Sequence, residues 1–492
     1  MPSKSFSVLY ATSESLPYIR IQSLGDISFS FAMAIREQGI DIRLAMPRYG
    51  IISERKNQIH YIKRLIDIPI PIGKQSYPAS IKSSSMNSPR TKVQAYITTN
   101  EKYFSSHKGV YRDARTLELF PDNDERFLYF SRSVAETCHL LEWTPDIVHY
   151  VDGETSLVPA YFKLMYPGKF EKTKFVLTIH NFEEQLTSGK NFFEKTGLPK
   201  KYKEFFYHKN QFNSLKAGIH FADAIVMTND VFSEAIKSDP ALTNGLFEFL
   251  EGKQVQIIKN GIDNFGWEPK KDKQILFKLD EDFDEFKYNN KVALFNEFEA
   301  DFDPTLPIVS MIIDVNEYEA IDYFIQNAPE LLKTDKFMIF ALARVETRYT
   351  NTLKLLSKKY KKSLKVKFTT DMTLMHQLFA GSDFYFSLDN HDLTNYNAIC
   401  AAKYGTIPVI NDYFADKKIL QPYDENADEG FTIFFQKDIV KELNPIFDKI
   451  VKIFEDKDTL MTLAERGYSQ NFSWEKSAKE YKQLYTKLLK GK

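Results

Sequence analysis

Residues 17 to 27, PYIRIQSLGDI, stand where a chain can hold an anion. A short apolar run, FSVLYATSE (6 to 14), precedes them, and an apolar-periodic run, ISFSFAMAIREQGIDI (27 to 42), follows and ends near Gly39. A strand, a turn and a helix N-terminus in that order aim backbone N–H groups and a helix dipole at a pyrophosphate. Such turns use glycine to let the anion close to the main chain. Here Ile21, Gln22 and Ser23 fill the turn, and Gly25 is the glycine that remains. Glycine is scarce along the whole chain, 19 of 492 residues, or about 4% against a usual level of about 7%. That scarcity argues against phosphate cradles built from backbone amides. His149, Glu154 and His180 are metal-ligating types, but their spacing matches no ligand motif, so no metal site is expected. Cys138 and Cys400 lie far apart in apolar-periodic segments, which favours two buried small residues over a disulfide or a thiolate site.

Strand-like runs that could position these residues alternate with helical periods. In the first half they are SFSVLYA (5 to 11), DIRLAMP (41 to 47), KVQAYIT (92 to 98), DIVHYV (146 to 151), KFVLTIH (174 to 180) and AIVMT (224 to 228). Helical patterns intervene at 125 to 143 and 156 to 166. The alternation predicts a parallel, doubly wound sheet. The segment from 74 to 92 is rich in Ser and Pro without periodicity and reads as a mobile surface loop. From 278 to 307 the pattern turns acidic and irregular. Fresh strands follow at IVSMIIDV (308 to 315), FMIFALA (337 to 343), LKVKFTT (364 to 370), FYFSL (384 to 388) and TIPVI (406 to 410), which predicts a second open α/β sheet. Two such sheets place a ligand site at the carboxyl ends of their strands, in the cleft between domains. The tail, SWEKSAKEYKQLYTKLLKG (473 to 491), reads as a Ser-capped helix.

Length and charge narrow the function classes. A chain of 492 residues exceeds one core and divides into two domains or three. A formal net charge of -1 offers no long-range pull on nucleic acid or an anionic membrane, so neither is an expected partner. No charged-then-apolar leader opens the chain and no apolar run reaches membrane-spanning length, so a cytoplasmic location is expected. Aromatic residues make up 14% of the chain, a supply that core packing absorbs before sugar stacking is invoked.

Motif order adds a resemblance. SESLPYIRIQSLGDI followed by MPRYG, then YFSRSVAETCHLLEWTPDIVHYVDGETSLVPAYFK (129 to 163), TIHN (178 to 181), FADAIVMTN (221 to 229) and NGIDNFGWEP (260 to 269) run along the first half. FAGSDFYFSL (379 to 388), KYGTIPVI (403 to 410) and FSWEKSAKEYKQLY (472 to 485) continue it. In that order and spacing the chain resembles the bacterial glycogen synthase and plant starch synthase family over almost its whole length. The resemblance implies an α/β GT-B fold: two Rossmann-like, doubly wound domains facing a cleft, with a C-terminal helix crossing back to the N-terminal domain. The implied limits are residues 1–258 for the acceptor-side domain, 259–470 for the nucleotide-sugar side and 471–492 for the strap helix. It also implies retaining transfer of glucose from ADP-glucose or UDP-glucose to an α-1,4-glucan, without a metal or other cofactor.

Carried over position by position, the resemblance places weak remnants of the donor site at Arg20, Gly25, Asp26, Asp152 and Arg344, and the catalytic candidates, should the chain be active, at His180 and Asp389. Arg20, Ile21, Gln22 and Ser23 stand where the family has a Lys, a Thr and a Gly-Gly pair. The Arg and Lys that grip the diphosphate after the first strand of the second domain fall at Asp314 and Glu319, two anions for two cations. In the family's Phe-Glu-Pro-Cys-Gly-Leu loop, Asp389, Asn390 and Asp392 take the places of the Glu, the Pro and the Gly. A later Thr-Gly-Gly becomes Tyr413, Phe414 and Ala415, and ALARVE (341 to 346) replaces a glycine-rich strand end. His180 matches the family histidine that faces the donor sugar, and Asp152 matches the Asp of an Asn-Asp-Trp-His run whose aromatic and His are absent. A structural histidine at a strand end is the equal alternative for His180.

Fold-bearing motifs persist while phosphate-holding positions change in several separate loops. That pattern favours a catalytically impaired pseudoenzyme keeping the shell as a binding or scaffold module, for a glucan, a nucleotide sugar or a protein partner. The alternatives are an active retaining glycosyltransferase that uses Arg20, His180, Asp389 and Arg344, and a structural component of a larger assembly.

Overall fold

The computed structural model describes residues 6–314, 318–345, 347–387, 393–436 and 439–491. The chain forms two compact units, Met1–Gly261 with Trp474–Lys492, and Ile262–Ser473.

The first unit is built on a ten-stranded sheet. Its parallel part runs, in spatial order, Val255–Ile257, Ala224–Met227, Lys174–Ile179, Ile147–Val151, Ser7–Ala11, Asp41–Pro47 and Lys92–Thr99. The central strands are buried on both faces, which explains their unbroken apolar runs. Helix Ser23–Glu37 links the first two strands and buries Ile27, Phe31, Ala32 and Ile35.

Beyond Lys92–Thr99 the sheet turns antiparallel, and here the expectation of a mobile loop from 74 to 92 fails. Gln75–Asn87 is a strand of 13 residues, paired with Lys92–Thr99 along one edge and with Ile68–Ile72 and His60–Tyr61 along the other. Ala79 and Ile81 are buried on one face and Lys82, Ser84 and Met86 on the other, so no single apolar and polar alternation runs along it. Lys82 Nζ lies 2.7 Å from Glu54 Oε2.

The second unit carries a six-stranded parallel sheet in the order Leu364–Lys367, Met338–Ala343, Ile308–Ile313, Phe384–Phe386, Ile407–Asn411 and Ile433–Phe435. In chain order this is 3-2-1-4-5-6, the doubly wound arrangement, with its switch point between the first and fourth strands. Its core joins Val309, Met311, Ile339, Phe384 and Val409 of the sheet to Phe447 and Ile450 of helix Ile439–Glu455. The stretch expected to be irregular holds helix Phe283–Glu297, which begins on an Asp282 cap bonded to Glu285 N. Lys287 of this helix is buried and sends Nζ to Ser382 O (2.6 Å), Tyr404 O (3.2 Å) and Thr406 Oγ1 (3.0 Å).

The last helix, Glu475–Lys490, packs on the first unit. Trp474, not a serine, stands at its start and makes no side-chain cap bond. His149 Nδ1 meets Tyr485 Oη at 2.6 Å and its Nε2 meets Thr178 Oγ1 at 2.7 Å, inside a cage of Tyr10, Phe31 and Tyr481 rings. No helix among the described residues is long and apolar enough to cross a membrane.

Candidate active site

Strand Ser7–Ala11 ends in a turn whose anion is supplied by the chain itself. The Glu14 carboxylate accepts the main-chain N–H of Ile21 at 2.5 Å and of Gln22 at 3.1 Å, and the Tyr111 hydroxyl at 2.8 Å. These are the N–H groups that a pyrophosphate would be expected to take. Burial pushes the Glu14 carboxyl up to about 7, against the opposing pull of those hydrogen bonds and of Arg20. Arg20 Nε lies 2.5 Å from Asp26 Oδ2, and Asp26 is buried in the first turn of the helix. Gly25 serves close packing, since a Cβ there would meet Ile19 O at 2.9 Å.

Strand Ile147–Val151 ends at Asp152, a non-glycine residue in the left-handed region at φ 53°. That backbone turns its carboxylate onto the end of Lys174–Ile179. Asp152 Oδ1 accepts His180 N at 2.8 Å, and Oδ2 lies 2.8 Å from His180 Nδ1. Both residues are nearly enclosed, with side chains 13% and 8% exposed. With Nδ1 facing a carboxylate, the neutral ring keeps its lone pair on Nε2, which makes no hydrogen bond among the described residues. Close by, burial and the charges of Asp152, Glu184 and Glu14 hold the Glu154 carboxyl well above the usual range.

Three contributors escaped the sequence reading: Glu14, Tyr111 and Arg126. Arg126 is wholly buried and spans the loop that carries Tyr111, with Nε 2.7 Å from Tyr103 O and Nη1 2.7 Å from Val110 O. Glu14 stood in the quoted SESLP stretch. An acid beside a glycine-poor turn was the available signal for it.

A model of the starch synthase catalytic domain matches residues 7–251. Glycogen synthase of Chlorobaculum parvum is 28% identical over 496 residues, covering 99% of this chain and all of the relative, and that of Chlorobaculum tepidum is 29% identical over 494 residues, with the same coverage. The chain belongs to the glycogen and starch synthase family. Its fold matches the catalytic domain of starch synthase IV from Arabidopsis thaliana, solved with ADP and acarbose, at a TM-score of 0.87 and 19% identity, covering 99% of this chain and 100% of that one. The GT-B expectation therefore holds.

Within this family member, the structure brings Asp152 and His180 together, and Arg20, Gly25 and Asp26 into one turn. In the second unit, Arg344 follows strand Met338–Ala343 directly and bonds through its N–H to Ile313 O at 2.8 Å. Asp314 follows Ile308–Ile313. Asp389, Asn390 and Asp392 lie outside the described residues, and so does the side chain of Glu319. After strand Ile407–Asn411, the Tyr413 and Phe414 rings pack 4.1 Å apart, with Phe414 and Ala415 buried. Among the described residues no cluster of His, Cys, Asp and Glu could hold a metal ion, and both cysteines are free and buried.

Proposed function

We propose that this chain transfers a glucosyl unit from a nucleoside-diphosphate glucose to an α-1,4-glucan, as a retaining transferase of the glycogen synthase type. The observation that carries this reading is the Asp152–His180 pair. Both carboxylate oxygens fix the histidine, by its N–H and its ring, and the opposite nitrogen is left open for a sugar hydroxyl. A scaffold that had lost its chemistry would have no reason to keep Asp152 in a left-handed backbone. Relatives named glycogen synthase at 28–29% identity, each matched along its full length, support the same reading.

Breaking the sugar–phosphate bond builds negative charge on the departing diphosphate, which needs a cation or N–H donors beside it. That need favours a second reading, a shell impaired in donor binding. Glu14 occupies the N–H groups of the first turn, Arg20 is paired with Asp26, and Asp314 puts an anion at the end of the second sheet's first strand.

Incubation of the purified protein with ADP-glucose or UDP-glucose and a glucan primer separates the two, with a glycogen synthase of known activity as control. The first reading expects nucleotide release matched by chain growth. Neither release nor growth, beside an active control, would overturn it in favour of the shell.

A further inference from the structure

The six parallel strands of the second unit end along one edge, and the residues that directly follow them are Asp314, Arg344, Phe368, Ser387, Asp412 and Gln436. Arg344 is the cation in this series. In doubly wound sheets the ligand binds outside this edge, near the switch point, and Arg344 follows the strand next to the one at that point.

Four other basic side chains of the unit lie against acids. Lys291 lies 2.7 Å from Asp383, Lys403 3.6 Å from Glu268, Lys417 3.4 Å from Asp412 and Arg466 3.0 Å from Asp428. The Arg344 Nη1 is shut off from solvent and has no hydrogen-bond partner among the described residues. A guanidinium N–H that is neither hydrated nor bonded is in deficit of an acceptor, and a fork of donors at a strand end suits phosphate oxygens. The main-chain bond to Ile313 O fixes where that fork starts.

We propose that Arg344 is the diphosphate anchor of this chain. Its guanidinium takes the phosphate oxygens of a nucleoside diphosphate, the task that the loop after Ile308–Ile313 cannot perform with Asp314 in it. The cationic grip has thus moved from the end of the first strand to the end of the second. The identity of the ligand rests on the transferase reading; the anion-binding role rests on the buried, unbonded Nη1 at a strand end.

Calorimetric titration of the full chain with ADP, UDP and inorganic pyrophosphate tests this. Arg344→Ala and Arg344→Gln are expected to weaken nucleotide and pyrophosphate binding at least tenfold, and Arg344→Lys to recover part of the loss, with the melting temperature held. Asp314→Asn is expected to tighten binding, which keeps the test alive should an Arg344 variant fail to fold. Unchanged affinity in Arg344→Ala, or no affinity of the native chain at millimolar nucleotide, overturns the inference. Full turnover by Arg344→Ala would sink the anchor and leave the transferase reading standing. Binding that depends on Arg344 in a chain that never turns over would do the reverse.

Discussion

At the scale of single residues, Asp152 decides what His180 can do. In Asp152→Asn the amide oxygen still accepts His180 N–H, and Asn tolerates the left-handed backbone, but an NH2 then faces Nδ1 and moves the ring proton to Nε2. Transfer is expected to fall ~100-fold with little change in melting temperature, and a steady-state assay beside a thermal melt checks it. Glu14 gives a pH signature. Its folded pKa of about 7 lies above the ordinary 4.5, so the native state holds the proton more tightly between those values. The resulting stabilisation is complete below about pH 4.5 and is lost as pH rises to 7. Urea unfolding is expected to show the native chain losing about 2–3 kcal/mol between pH 5 and pH 8 relative to Glu14→Gln. Equal pH dependence in the two proteins would contradict it. Asp152 and His180 were each singled out because both sit in motifs at strand ends, whereas their pairing came only with the fold. Glu14 and Arg126 were not, because their role is to hold main chain, which leaves no spacing pattern.

At the scale of elements, the parallel strands were readable because burial on both faces demands continuous apolar runs. Gln75–Asn87 was not readable, since the residues it buries beside Ala79, Ile81 and Met86 include the polar Lys82 and Ser84, and the buried set falls on both faces. Helix Phe283–Glu297 was hidden for a related reason: it buries Lys287, Asn290 and Lys291 beside its apolar residues, so no clean stripe appears. The docking of Glu475–Lys490 is the element most open to test. Burial lowers His149 to about 3, and the unfolded chain, with an ordinary value near 6.5, takes up the proton first. The neutral ring's contribution is whole above about pH 6.5 and is lost as pH falls towards 3, about 4 kcal/mol of it by pH 3.5. Hydrogen exchange in Glu475–Lys490 is expected to accelerate at pH 4 before the central strands respond. Tyr485→Phe, which strips the hydroxyl from His149 Nδ1, is expected to cost about 1–2 kcal/mol at neutral pH in the same measurement.

At the scale of the whole molecule, the chain's end belongs to the unit its beginning built. Truncation after Ser473 would uncover Tyr10, Phe31 and His149 together, an aromatic floor that Trp474, Tyr481 and Tyr485 now cover. Such a truncated protein is expected to bind a dye for exposed apolar surface and to aggregate at 37 °C, whereas a cut after Lys490 leaves solubility as it was. Both sheets were foreseen as open and doubly wound; Arg344 was named for the donor side through the resemblance alone, because single cations at strand ends carry no periodicity.

The margins of both sheets bear on how the molecule behaves when crowded. The large sheet stops on one side at His60–Tyr61, two residues long, and Ile68–Ile72, interrupted by two prolines, and on the other at Val255–Ile257, three residues long. The smaller one stops at Leu364–Lys367, with two lysines, and at the three residues Ile433–Phe435. Strand borders that are brief or charged give a neighbouring copy little ladder to extend. A copy crowded against others of its kind would therefore be guarded against fibre growth by the way its sheets end.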